Sequence, residues 1–149
     1  MAQTADAITF EDCLVEISDN GSVWTDISGF ASSVTVAGAE RQAGSMHVFG
    51  DEYAVVRRGK IEPIDVTVRI LYTETTSDPY DRVKAAYVGG TDMYIRWSPL
   101  GATSGDKQYT TSAGIVIAPP YPAGEAGGGE PVPFSMTLKC SSLAEADVA

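Results

Sequence analysis

Residues 64–72 alternate with period two, placing Ile64, Val66, Val68, Ile70 and Tyr72 on one face and Asp65, Thr67, Arg69 and Leu71 on the other. That period belongs to a strand with one buried face, and its β-branched and aromatic residues suit a pleated surface. A polar turn follows. Asp78 then reads as a helix N-cap, with Pro79 at the first helical position and Asp81 in the first turn. Tyr80, Val83, Ala86 and Tyr87 make one apolar stripe on a helix predicted over about 78–88, which Gly89 and Gly90 end. Met93, Ile95 and Trp97 alternate again and return the chain to a sheet. A lone helix among strands belongs against an edge or end of the sheets.

The rest of the chain is strand-rich. Residues 1–9 are small and polar and read as a weakly held terminus. Cys13, Val15 and Ile17 alternate in a short first strand, Asn20-Gly21 signals a hairpin turn, and Val23 to Ile27 answers as a second strand with Trp24 as a packing anchor. Residues 33–37 and 107–118 are extended. Residues 119–131 form a glycine- and proline-rich loop that needs no secondary structure. Val132, Phe134, Met136, Leu138 and Cys140 alternate in a clear final strand, and the closing residues, ending in DVA, read as a free polar tail. Seven or eight strands and one helix in one domain, 1–149, predict a mainly β fold. Its form is an antiparallel β-sandwich or partly open barrel with one flanking α-helix.

Residues 38–60 fit no simple template. Gly38, Gly44, Gly50 and Gly59 punctuate them, and Met46, Val48, Phe49, Tyr53, Val55 and Val56 are apolar yet scattered. So long a connection is uncommon in a small domain. Two arrangements fit: a long hairpin folded onto its own domain, or an arm whose apolar residues another copy buries.

Charge sharpens this picture. The net charge is -10, and residues 1–40 hold seven acids and no Lys or Arg. Arg57, Arg58 and Lys60 form the one basic cluster, which suits a patch facing acids of the same chain or of a neighbour. The overall sign opposes tight nucleic-acid binding through phosphates. It suits solubility, and equally a surface that DNA passes without sticking. No run of 18 apolar residues occurs, so no membrane insertion is expected, and no basic-then-apolar leader opens the chain. Cys13 and Cys140 both fall in the apolar phase of predicted strands; they read as reduced core thiols, with a disulfide open if the first and last strands are neighbours.

Little in the sequence points to chemistry. His47 is the one histidine, and the two cysteines lack CxxC spacing, so no metal or other cofactor is expected. Glu11-Asp12 and Asp51-Glu52 are adjacent and diverge on a strand. No nucleophile elbow, zinc-protease, dinucleotide or phosphate-loop motif is present, and Gly127-Gly128-Gly129 lacks a following Lys-Ser/Thr. No enzyme activity is expected. Arg69, Arg96, Asp65 and Lys139 stand on non-core faces and suit mixed-charge cross-strand pairs.

The layout as a whole resembles the major tail (tail tube) proteins of long-tailed, non-contractile bacteriophages. Four stretches carry the resemblance: Trp24-Thr25-Asp26-Ile27-Ser28-Gly29; the segment from Gly38 with Arg41, Gly44 and His47-Val48-Phe49-Gly50; SDPYDRVKAAYVGGTDMYIRWSP; and GGGEPVPFSMTLKCSS. It spans roughly residues 10–143 and rests on layout rather than on an invariant signature. It implies a β-sandwich with a flanking helix, six subunits closing into a ring, and rings stacking into a tube that conducts double-stranded DNA through an acidic lumen. The implied partners are copies of the chain itself and the tape measure, terminator and distal tail proteins. The implied location is the virion tail, assembled in the host bacterial cytoplasm. Under this reading Arg41, Met46, His47, Phe49, Tyr53, Arg57 and Arg58 are the candidate inter-subunit contacts. Two other functions remain: a tail terminator or neck protein making a single ring, and a monomeric β-sandwich binding module using Tyr94, Tyr109 and Tyr121.

Overall fold

The computed structural model describes residues 7–149. Most of the terminus expected over 1–9 lies outside them; residues 7–9 are exposed and belong to no strand. Eleven strands and one helix follow in the order β1 Leu14–Ser18, β2 Thr25–Asp26, β3 Ala31–Gly38, β4 Arg41–Met46, β5 Val55–Ile61, β6 Ile64–Leu71, α1 Pro79–Gly89, β7 Tyr94–Ser98, β8 Lys107–Thr111, β9 Gly114–Val116, β10 Pro133–Cys140 and β11 Leu143–Asp147. All pairings are antiparallel. A five-stranded sheet runs β11-β8-β7-β1-β2, a four-stranded sheet runs β3-β6-β10-β9, and β4-β5 form a separate two-stranded sheet.

The two larger sheets bury one face each against the other, as the alternating residues dictate. Ile64, Val66, Val68 and Ile70 of β6 and Phe134, Met136, Leu138 and Cys140 of β10 meet Val15, Ile17, Ile95 and Trp97 of the opposite sheet. The sheets do not close into a barrel. At one corner the chain passes from β8 in one sheet to β9 in the other, and Met93 and Gly114 exchange backbone hydrogen bonds at 2.9 and 3.0 Å. Gly114 is required there: a Cβ would stand 2.7 Å from the Lys139 carbonyl oxygen.

Helix α1 lays Val83 and Ala86 into this core. Tyr80 meets Tyr72 and Phe134 edge-on, with ring centroids 4.7 and 5.2 Å away. Pro79 begins the helix and Gly90, in the left-handed region, ends it. Asp78 precedes the first turn, but its carboxylate accepts from the Thr73 hydroxyl rather than capping a helical N–H.

Further expectations change, beginning with the strand count, eleven where seven or eight were expected. The second strand shrinks to Thr25–Asp26, because residues 19–24 are spent on a turn organised by Asn20, whose side-chain oxygen accepts from the N–H groups of Ser22 and Val23. Trp24 anchors on the sheet's outer surface, with the Arg96 guanidinium 4.2 Å from its ring centroid. The closing residues are not a free tail. They form β11, pairing with β8 from Leu143↔Thr111 to Asp147↔Lys107, and Val148 bonds residues 105 and 106 beyond the strand. Backbone pairing carries this edge strand, since its residues are mostly exposed and its ion pair, Lys107 to Asp147 at 2.5 Å, is a surface one.

Cys13 and Cys140 are both free, and burial raises both thiols above their ordinary pKa. Leu138 of β10 is fully buried. Leu138→Ala is expected to cost about 3 kcal/mol, the range for a buried leucine that leaves a cavity. Urea unfolding of the dispersed subunit measures it, and a loss within experimental error would contradict this packing.

Candidate assembly surfaces

Strands β3 and β6 are the inner half of a longer ribbon. Their pairing runs to Gly38↔Ile64 and resumes in β4 and β5 at Arg41↔Ile61 without a change of register. The joint between is bonded, Ala39 N–H to the Pro63 carbonyl at 3.2 Å and Glu62 N–H to the Glu40 carbonyl at 2.9 Å. Gly38 and Ala39 both have positive φ, at 79° and 58°, which turns the ribbon. A Cβ on Gly38 would come within 2.4 Å of the Pro63 carbonyl oxygen, so the joint needs a glycine. Past this joint the ribbon leaves the body, and the segment that fits no simple template is a β-hairpin, not folded onto its own domain.

No core lies under either face of this hairpin. Every residue from 39 to 53 is exposed. Met46 opposes Val55 on one face; Ser45 opposes Val56 on the other. Met46 is 70% exposed, Tyr53 76%, and Phe49 at the tip wholly so. This much bare apolar side chain on one projection makes it a candidate contact surface.

Of the seven candidate contacts, Arg41 opens β4 and donates to the Gly59 carbonyl at 3.2 Å, which holds it along the hairpin. Met46 ends β4, and His47, Phe49 and Tyr53 share the tip loop, where Asp51 N–H bonds the Val48 carbonyl and Tyr53 N–H bonds Asp51. Arg57 and Arg58 are not brought together: they pair with Gly44 and Ala43 and point to opposite faces. The candidate set omits Val55, Val56 and Ile61, which are exposed on the same hairpin. Their signal was an apolar residue in a strand whose partner face carries no core.

Residues 41–61 carry four cations and two anions, a charge of +2, so the remaining six cations and eighteen anions leave the rest of the chain at -12. Among the described residues, the ion pairs are Arg82–Asp19, Arg96–Glu16, Lys107 with Glu145 and Asp147, and Lys139–Asp65; the hairpin cations join none of them. Of the four residues expected to pair across strands, Lys139 pairs with Asp65, Arg96 pairs instead with Glu16, and Arg69 joins no ion pair among the described residues. A mildly basic, apolar-tipped arm thus projects from a strongly acidic body.

The four-stranded sheet offers a second surface. Its outer edge strand β3, ASSVTVAG, has no charge and no proline, the devices that usually protect an edge, and its other edge is the three-residue β9. The three tyrosines considered for a binding module lie apart, each packed on its own partner: Tyr94 on Trp24, Tyr109 on Trp97, Tyr121 on Tyr87. Among the described residues no three His, Cys, Asp or Glu gather as a metal cluster, and no helix is long and apolar enough to cross a membrane.

Gly38→Ala should destabilise the protein by about 1–3 kcal/mol through strain at the joint. Gly50→Ala, with open space around it, should stay within about 0.5 kcal/mol. Parallel urea titrations compare them, and equal midpoints would contradict the joint's geometry.

Neither protein-family models nor curated protein sequences match this chain. Solved structures do. A chain in the tail of an empty gene transfer agent particle, refined with C6 symmetry, aligns over 99% of this chain and 100% of its own at 10% identity and a TM-score of 0.65. A chain in the tube-terminating cap of the anti-feeding prophage aligns over 99% and 95%, at 10% identity and a TM-score of 0.67. The SPP1 tail tube aligns over 95% and 80%, at 10% identity and a TM-score of 0.66. The sandwich, its flanking helix and its projecting hairpin therefore make up the fold found in the tail tubes of phage and phage-like particles.

Proposed function

We propose that this chain is a structural tail tube subunit that assembles with copies of itself into stacked, hexameric rings and conducts double-stranded DNA through the bore. The observation that carries this reading is the likeness to tail and tube chains over almost the full length of both partners. The C6 symmetry of the gene transfer agent tail supports the ring number.

Physical reasons point the same way. The uncharged edge of β3 is completed when a neighbour's β9 pairs with it, and six copies joined so would turn the four-stranded sheets into one closed wall. The arm then lays Met46, Phe49, Tyr53 and its cations on an acidic neighbouring body, in the same ring or the next. Arg41, His47, Arg57 and Arg58 belong to this contact. The tube's further partners are tape measure, terminator and distal tail proteins, its place is the virion tail, and its assembly takes place in the host bacterial cytoplasm. The role is passive conduction, with no covalent chemistry.

A second reading, a terminator making one ring, is favoured by the likeness to the tube-terminating cap. Negative-stain imaging of the purified protein separates the two: long tubes for the first, single rings for the second. Deleting residues 42–56 should leave a folded subunit by circular dichroism yet abolish tubes; intact tubes would contradict the arm's role. Ser135, exposed on the four-stranded sheet, tests which face is inside. In tubes, Ser135→Cys should react with a small maleimide but not with a polymer-linked one, and in dispersed subunits with both. Equal reaction with both reagents in tubes would place this face outside.

A further inference from the structure

We infer that Arg69 is a phosphate-contacting side chain, one per subunit, on an otherwise neutral, hydroxyl-lined bore; this rests on the tube reading, with the outward face of the four-stranded sheet turned to the DNA. The strand registers lay this face out as rows. One row holds Ile115, Lys139, Asp65 and Ala37; the next holds Thr137, Thr67 and Thr35; the next holds Ser135, Arg69 and Ser33. In the first row Lys139 Nζ stands 3.0 Å from Asp65 Oδ1, an ionic contact without an aligned hydrogen bond, so its charges cancel. In the second the Thr67 and Thr137 hydroxyls are 3.3 Å apart. Arg69 is the remaining charge on the three rows. It is exposed, joins no ion pair among the described residues, and has a serine on each side. The loop that shares a depression with it carries Glu125 and Glu130, neither within ion-pair distance.

The strand residues of this face thus carry one of the subunit's twenty acids, Asp65, while Glu125 and Glu130 border it from the adjoining loop. Counted over the three strand rows alone, three charges, two of them paired, leave +1, within a chain of -10. An exposed guanidinium between hydroxyl donors is suited to a phosphate oxygen, which it grips bidentately. One such group per subunit gives a weak contact that repeats along the duplex, ignores sequence and fades with salt. A wall dense in cations would hold DNA, and a wall of carboxylates would push it to the axis.

The test uses assembled tubes, confirmed by imaging for each protein, and a fluorescent duplex read by co-sedimentation. Wild-type tubes should retain duplex at about 50 mM salt and release it by about 200 mM, and Arg69→Gln should lower low-salt retention about tenfold. Arg69→Lys should keep most of it, and Lys107→Gln, from the other sheet, should match wild type. Retention by Arg69→Gln tubes equal to wild type overturns the proposal. So does wild-type retention that is absent or unchanged by salt, which needs no variant. Wild-type protein that forms no tubes overturns the tube reading and this proposal with it, whereas tubes that bind duplex independently of Arg69 overturn this proposal alone.

Discussion

The antiparallel ladder between β3 and β6 is the constraint from which the other features follow. On one side β6 pairs with β10 and is buried; on the other, the outer edge of β3 pairs with no strand among the described residues. A ladder that continues in register past the core also fixes where the arm goes, because Gly38↔Ile64 and Arg41↔Ile61 belong to one pairing. The core thereby aims a projection that carries no core of its own. Buried backbone groups must find partners, and bare apolar side chains gain by leaving water. Among the described residues, the β3 edge has no strand partner and the arm tip has no apolar cover.

Those unmet needs differ in kind, and they would be satisfied in different directions. The β3 edge offers a directional ladder of N–H and C=O groups, which only another strand in register can use. The arm offers apolar side chains and cations on both faces, which ask for an acidic, partly apolar groove and tolerate some freedom of fit. Edge pairing can close a ring, and arm docking can join rings or strengthen one. Charge separation between arm and body would speed such an encounter and disfavour body-to-body contact.

What could be read in the sequence follows from what each segment packs against. β6, β10 and β7 each bury one face, so their period of two is plain, and helix α1 announces itself through Pro79, its Val83/Ala86 stripe and Gly90. The arm buries neither face, so Met46, Phe49 and Val56 follow no period, and its strand character rests on cross-strand pairing that composition does not reveal. β11, LAEAD, is poor in strand-forming residues and is held by its backbone against β8, so its pattern resembles a tail. The polar faces are partly legible: Asp65 and Lys139 read as pairing residues and do pair, whereas Arg96 finds Glu16, which residue types alone do not single out. Adjacency itself, β6 between β3 and β10, is set by the long-range pairing of residues far apart in the chain.

The account turns on whether the β3 edge and the arm are covered by other copies. Backbone amide hydrogen exchange, compared between dispersed subunits and the assembled protein, measures this directly. Protection should rise across Ala31–Gly38 and residues 46–56 on assembly, while β6, already paired on both sides, stays unchanged. Exchange in those two segments that is as slow in the dispersed subunit as in the assembly would contradict the account.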